Sequence, residues 1–417
     1  MQPDLTKGFS KPKGNDMSEK AKVYFGSIQQ GRDSAFAALA AKVDKIIELL
    51  DFSTIGKRDK VAIKMHLGFA YGCQTVHVFF VRQIVKAVKR AGGYPFVTDN
   101  PTAVYNAVDR GYTQETCGCP IIPIAGVKDR YNYRVNVDYK NVDTLEMSGV
   151  IHDADVLIDL THSKGHANCG YGGAIKNLAL GCYSAPSRWH KIHGVENSIP
   201  YWEPEKCTPE HAKALVQACP YHALQYDTEK HKLSLLMYVC MNKNCLECLD
   251  TDKEVGCLQI KPEFFASFQE LMAISAKQVL NTFDENKRFF LNFILEVTPH
   301  CDCMGMIQPS VVPDIGVLGS RNIVAVETAT LDLIAEAGLI EQTIPPYFKH
   351  VNLDRNADLH PFERLWGPMK NPYLVTKFAE QQGLGTRKYE LVEVLSPEET
   401  SKMKPPKNEY ERQPTFY

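Results

Sequence analysis

The chain has 417 residues, 44% of them hydrophobic, which is enough to bury large cores and to build two or three domains. Forty-seven basic and forty-nine acidic residues leave a formal net charge of −2, with no basic block. That balance argues against a nucleic-acid partner and gives a membrane surface nothing to attract, and no apolar stretch approaches bilayer-spanning length.

Residues 1–20 are polar, with Pro and Gly and no apolar segment, so they read as a flexible tail and not a signal peptide. Lys22 to Gly26 predicts a first strand. Phe36, Leu39, Val43, Ile46, Ile47 and Leu50 recur at helical spacing, predicting a helix over 33–50. Val61 to His66 is the next strand, ending in Lys64 and His66. Residues 76–90 predict a helix closed by Gly92-Gly93. Tyr94 to Thr98, Ile121 to Ile124 and Asp155 to Leu160 supply three more strands. Short buried strands alternating with helices imply an α/β fold: a mostly parallel, Rossmann-like sheet with helices on both faces.

The organising stretch is Thr161 to Cys182. A buried strand runs into a polar, Gly-rich loop and then a helix from Ala174, which is how open α/β sheets present a site at the carboxyl ends of their strands. His162, Lys164, His166 and Lys176 are candidate catalytic residues, with His66 from the earlier strand end. The lysines would bind an anionic group and a histidine would move protons. A lone histidine after a strand, such as His66, is more often a satisfied core residue. Residues 189–193, Trp-His-Lys-Ile-His, are too short a run for a helix and read as a loop. Cys117-Gly-Cys119 reads as a turn with two free thiols.

Thirteen cysteines are unevenly spread, six of them between Cys207 and Cys257. In a long chain without a secretion signal, that pattern indicates metal binding in a reducing cytoplasm, not a disulfide framework. Cys219-Pro220 ends like a ferredoxin half-motif, and Cys240-x4-Cys245-x2-Cys248 offers three thiolates spaced to wrap a cluster or a metal. On spacing alone, zinc and iron–sulphur stand close to even, and Cys219-Pro220 favours the cluster. Residues 262–283 resume a helical pattern, 289–297 form a long strand, and His300-Cys-Asp-Cys303 follows. Cys301 and Cys303 can chelate a second metal ion or stay buried free thiols. Residues 313–320 read as strand and turn, and 325–336 as a helix with Glu327 in its first turn. The last seventy or so residues read as an extended wrap, with a loose tail from Pro405-Pro406. The expected units are the tail 1–20, an α/β body in two parts (21–200 and 262–340), a cysteine-rich insertion 201–261 and a C-terminal wrap 341–417.

Several motifs taken together resemble the domain-of-unknown-function 362 family, in the subgroup with a ferredoxin-like insertion. They are Ile63 to Gly68; His162 to His166 with Gly170 to Asn177 and Gly181-Cys182; His300 to Cys303 with Val312 to Leu318 and Val324 to Glu327; and Gly383 to Leu391. The resemblance covers residues 22–392. It implies a small, degenerate ferredoxin-like α+β insertion, iron–sulphur binding, and redox or cofactor-related work in anaerobic metabolism.

The family's subgroup usually carries two complete cluster motifs. Here the first keeps only Cys219, with Pro209, Ala212 and Leu215 at the other expected positions. Because the fourth cysteine of one motif serves the other cluster, Cys219 would join Cys240, Cys245 and Cys248 around one 4Fe–4S cluster, with Cys257 or Cys207 in reserve. The leading expectation is an iron–sulphur protein passing electrons to a substrate or metal site on the body, and thus an oxidoreductase working with a redox partner protein or a small-molecule substrate. The alternative is a non-redox enzyme or metal- and cofactor-assembly factor with structural zinc or a vestigial site. Homo-oligomerisation is left open by the sequence.

Overall fold

The computed structural model describes residues 20–236, 239, 240, 245 and 247–404, without the side chains of 197 and 198. Residues 1–19 of the expected tail, and the tail from Pro405, lie outside the described residues. In chain order the strands are β1 (Ala21–Ser27), β2 (Lys60–Lys64), β3 (Tyr94–Asp99), β4 (Ile121–Pro123), β5 (Asn132–Tyr139), β6 (Val142–Ser148), β7 (Val156–His162), β8 (Lys164–His166), β9 (Gly170–Gly172), β10 (Leu224–Asp227), β11 (Lys232–Leu235), β12 (Arg288–Ile294), β13 (Gly316–Ser320) and β14 (Tyr389–Glu393).

Eight of these form one sheet in the order β14-β1-β13-β12-β7-β2-β3-β4. Neighbours pair in parallel except at β13, which is antiparallel to both β1 and β12. The sheet is therefore mostly parallel, and the α/β expectation holds. Successive strand residues point to opposite faces. Val61 and Ile63 of β2 join the core under the helices Leu39–Leu50 and Val78–Ala91, while Ala62 joins the opposite core. That second core is covered by Ala174–Gly181, Pro262–Leu280 and Ile323–Ala337.

The first helix starts at Leu39, later than its apolar pattern suggested. Ser34 accepts from the Phe36 amide through its hydroxyl and from the Ala37 amide through its carbonyl, a local turn that competes with helix. The segment Ser187–Ile192, read from sequence as a loop, is a π-helical turn with Ser187 and Ile192 buried. Tertiary packing decides its conformation, not local periodicity. Within the C-terminal segment, β14 adds in parallel to β1 at the sheet edge, and the helices Pro361–Trp366 and Leu374–Gln381 pack on the body. The β5–β6 hairpin, absent from the sequence reading, alternates outward polar with inward apolar residues over a half-exposed surface. No helix among the described residues is long and apolar enough to cross a membrane.

Candidate functional site

β2, β3, β7 and β12 run the same way, so their carboxyl ends meet on one edge. There a cavity of about 300 Å³ opens, lined by Lys64, His66, Asp99, Lys164, Lys176, Asn177, Cys301 and Cys303 among others. The location is where such sheets bind ligands.

Its floor is a buried polar network. Lys64 Nζ donates to Asp99 Oδ1 at 3.1 Å, Asn177 Oδ1 at 2.8 Å and the Met65 carbonyl at 2.9 Å. Burial opposes ionisation of Asp99, but Lys64 and then His66 outweigh it and hold the carboxyl below its usual range. Asn177 Nδ2 donates to Asp159 Oδ1 at 2.6 Å, and Thr161 donates to the same oxygen at 2.7 Å. Asp159 Oδ2 has no hydrogen-bond partner among the described residues, and burial pushes this carboxyl up to about 7. Glu327 is likewise pushed up to about 7 by burial while accepting from the Ile175 amide at 2.7 Å, at the start of the Ala174–Gly181 helix.

The loop Pro299 to Gly305 reaches over this floor, and Asp302 anchors it. Its Oδ1 lies 2.9 Å from His162 Nδ1 and its Oδ2 3.0 Å from Lys164 Nζ. Against burial, Lys164 and then His162 lower the Asp302 carboxyl to about 2. His162 Nε2 lies 3.0 Å from the Leu295 carbonyl, so both ring nitrogens face acceptors within the protein. His162 thereby positions the loop that carries Cys301 and Cys303, whereas Lys164 also reaches the cavity wall.

Cys301 is buried and Cys303 exposed at the cavity mouth. The Cys303 thiol donates toward Cys301, and the ammonium of Lys176 lies 3.4 Å away, so the Cys301 thiol is held well below its ordinary pKa despite burial. His66 also donates to this sulfur. Its Nδ1 accepts from the Gly68 amide at 2.9 Å, which leaves the ring proton on Nε2. Burial works against the charge of Lys176, but the sulfurs of Cys301, Cys303 and Cys169 outweigh it and raise the pKa above that of an ordinary lysine. Lys176 thus faces the site, a point the sequence left undecided.

His166 lies deeper. It stacks near Phe268 and His193, and its Nδ1 accepts from the Asn168 amide and contacts Cys169 Sγ at 3.3 Å. Burial and then Lys176 hold it well below its usual pKa, so it is a neutral ring behind the cavity wall. The glycines of the loop serve the protein's own packing. A Cβ at Gly165 would strike the Pro299 carbonyl, and one at Gly170, where φ is +77°, would strike that of Lys370.

In the insertion, Cys219, Cys240, Cys245 and Cys248 fall close enough for their charges to couple mutually. Three of them line a small cavity with Ile260, Phe265, Trp366 and Lys370. Burial pushes Cys240 to about 11 and Cys248 to about 12. Burial lowers Lys370 to about 8, while Cys240, Glu196 and Cys169 pull it upward. Cys257 has other neighbours: Cys207, Asp252 and His211. Two sets of candidate metal ligands have all their donor atoms within 4.8 Å of one another, namely His211 with Asp252 and Cys257, and Cys245 with Glu247 and His350.

The sequence profile described as "Domain of unknown function (DUF362)" matches residues 61–332. The chain belongs to the DUF362 family. The matched region holds both the cavity and the cysteine-rich insertion. No curated protein matches this DUF362 member in sequence. Among solved structures it is similar to the lactate racemase apoprotein from Thermoanaerobacterium thermosaccharolyticum, at 11% identity and a TM-score of 0.32, over 78% of this chain. The aligned part spans 60% of that protein's length. So distant a likeness carries no argument about this member's activity.

Of the residues that build the site, Lys64 and Asp99 were visible only as polar strand ends. Asp159 had a clear signal, a lone carboxylate inside an apolar strand. Asn177 ends the 170–177 motif, whereas His193 and Lys370 had no signal, because long-range packing brings them in.

Proposed function

We propose that this DUF362 protein is an iron–sulphur redox protein. Cys219, Cys240, Cys245 and Cys248 would hold one 4Fe–4S cluster, and electrons would reach a substrate or metal bound in the sheet-edge cavity. The observation that carries this reading is the placement of Lys370. Its buried ammonium feels Cys240 of the insertion on one side and Cys169 of the Gly-rich loop on the other. Cys169 contacts His166 and acts on Lys176, which bonds to Cys301. The charges of the two sites therefore act on one another through Lys370, Cys169 and Lys176.

The donor set fits the group: four thiols in an apolar surround with one buried cation suit an anionic cluster, which would supply one-electron chemistry when bound. Because burial raises the thiol pKa values, loading must release protons. In the cavity, Lys176 remains an ammonium able to bind an anionic group, and His66 holds a proton on Nε2 beside the Cys301 sulfur. Lys64 and Asp99 fix the floor beneath them.

A second reading is favoured by one observation, the convergence of His66, Cys301 and Cys303 on a single sulfur-centred point. That is a donor set for a soft metal, and a metal- or cofactor-assembly factor would use it to hold its cargo. Iron, sulphide and zinc analysis with absorption and EPR spectra, on protein purified without oxygen, separates the two. About four irons with a reducible signal support the redox reading. Protein with neither iron nor a reducible chromophore overturns it, and metal held by wild type but lost from Cys301→Ser favours the second.

A further inference from the structure

At the root of the insertion, four side chains unrelated to the cavity converge. Cys207 ends the turn Pro204–Lys206, His211 lies in the first turn of the helix Pro209–Ala218, and Asp252 and Cys257 follow the helix Glu247–Thr251. Donor atoms of His211, Asp252 and Cys257 all lie within 4.8 Å of one another, with His211 Nε2 2.8 Å from Asp252 Oδ1. Cys207 and Cys257 hydrogen-bond to each other. Cys257 is 0% exposed, and Cys207 and Asp252 are 2% exposed.

We propose that Cys207, His211, Asp252 and Cys257 form a separate, mononuclear zinc-type site. Two sulfurs, an imidazole nitrogen and a carboxylate oxygen make the mixed, borderline-soft set that tetrahedral zinc accepts. Cys207-x3-His211 and Asp252-x4-Cys257 deliver the ligands in two pairs from two segments, with gaps of the usual length. Asp252 keeps its Oδ2 on the Leu258 amide at 2.6 Å, which orients Oδ1 toward the other donors. Ala212 and Leu215, both 0% exposed, pack in the same apolar cluster as Cys207 and Cys257.

The site also has structural work to do. The insertion's own core comprises only a handful of buried side chains. Its two ends meet here, where Trp202 bridges to Leu258 and the Glu203 amide donates to the Cys257 carbonyl at 2.8 Å. A metal bound at this point clamps entry and exit strands of a unit too small to fold on apolar burial alone. Binding exchanges two thiol protons for one divalent cation, with no change of oxidation state.

The test uses the full chain purified without oxygen, with metals counted in wild type, Cys207→Ser, Cys257→Ser and Cys240→Ser. The site predicts one zinc per chain in wild type. Both Cys207→Ser and Cys257→Ser lose it while keeping whatever iron wild type holds, and Cys240→Ser keeps the zinc. Should a cysteine variant fail to fold, His211→Ala supplies the milder probe, with Co²⁺ affinity lowered at least roughly 10–100-fold and the thiolate-to-cobalt absorption weakened. Three results overturn the proposal: wild type with substoichiometric zinc and no Co²⁺ uptake, zinc lost from Cys240→Ser but retained in Cys257→Ser, or a Cys207–Cys257 disulfide by mass spectrometry. None depends on the iron reading, because zinc and iron are read separately.

Discussion

The sheet-edge cavity and the cysteine-rich insertion hold reactive groups by opposite means. In the cavity, protein satisfies protein: Lys64 pairs with Asp99 and Asn177, Asn177 with Asp159, and Asp302 with His162 and Lys164. In the insertion, sulfurs are gathered but burial keeps them protonated, and little apolar core supports them. The lesson concerns preorganisation. The body reaches its working geometry on folding alone, whereas the insertion, on the reading proposed above, completes its own with metal in place.

The sharpest way to break that comparison is Lys64→Met. It strands a buried carboxylate at Asp99 and is expected to destabilise the body by about 3–5 kcal/mol in denaturant unfolding. Asp99→Asn in the same chain should restore much of the loss. A cost near zero for the single variant would mean the floor is not an interlocked network. Next in size is metal removal. Anaerobic chelation should deprotect backbone amides of β10, β11 and the Pro209–Ala218 helix in hydrogen exchange by about 2.7 kcal/mol or more, if metal had been held at a hundred times its dissociation constant. Amides of β2, β7 and β12 should not change.

A further effect, spread over several pH units, reads the cavity floor. Burial raises Asp159 and Glu327 to about 7 in the folded chain, above the value near 4 of an exposed carboxyl. Between those values the folded state binds more protons than the unfolded one, so stability contributed by the neutral acids is complete at low pH and is lost as pH rises toward 7. Asp159→Asn should flatten this decline by up to about 1.4 kcal/mol per pH unit, measured as unfolding midpoints from pH 4 to 7. The smallest effect couples the two regions. Lys370→Met removes a cation that acts on Cys240 and should shift the reduction midpoint of the proposed cluster to a more negative potential in an EPR-monitored titration, leaving unfolding nearly unchanged.

The sheet was legible because its strands are short, apolar and β-branched, and because Gly92-Gly93 before β3 and the Gly-rich loop after β7 mark their bounds. Lys64, His66 and Lys164 could be placed near one edge by strand order alone, whereas the direction Lys176 faces on its helix could not. What escaped was anything decided at long range. Nothing local says that His162 and Lys164 grip Asp302, 140 residues away from His162, or that Lys370 from the C-terminal segment lies between two sets of cysteines. Trp189 to His193 carries no helical stripe, yet the stacking of Trp189, His193 and Phe268 holds a π-turn there. The glycines do mark close approaches, to the chain's own backbone at Gly165 and Gly170 and to the side chains of Tyr171 and Glu327 at Gly173.

The pairing of β1 has a consequence during synthesis. This strand's neighbours are β13 and β14, and it touches no strand made before residue 316. At 5–20 residues per second, a ribosome would need roughly 15–60 s after β1 emerges to deliver its first partner. Through that interval Val23 and Phe25, destined for the core, have no sheet to join, and both polar edges of the backbone stay open. The nascent chain therefore carries its first strand without a sheet partner through most of its translation.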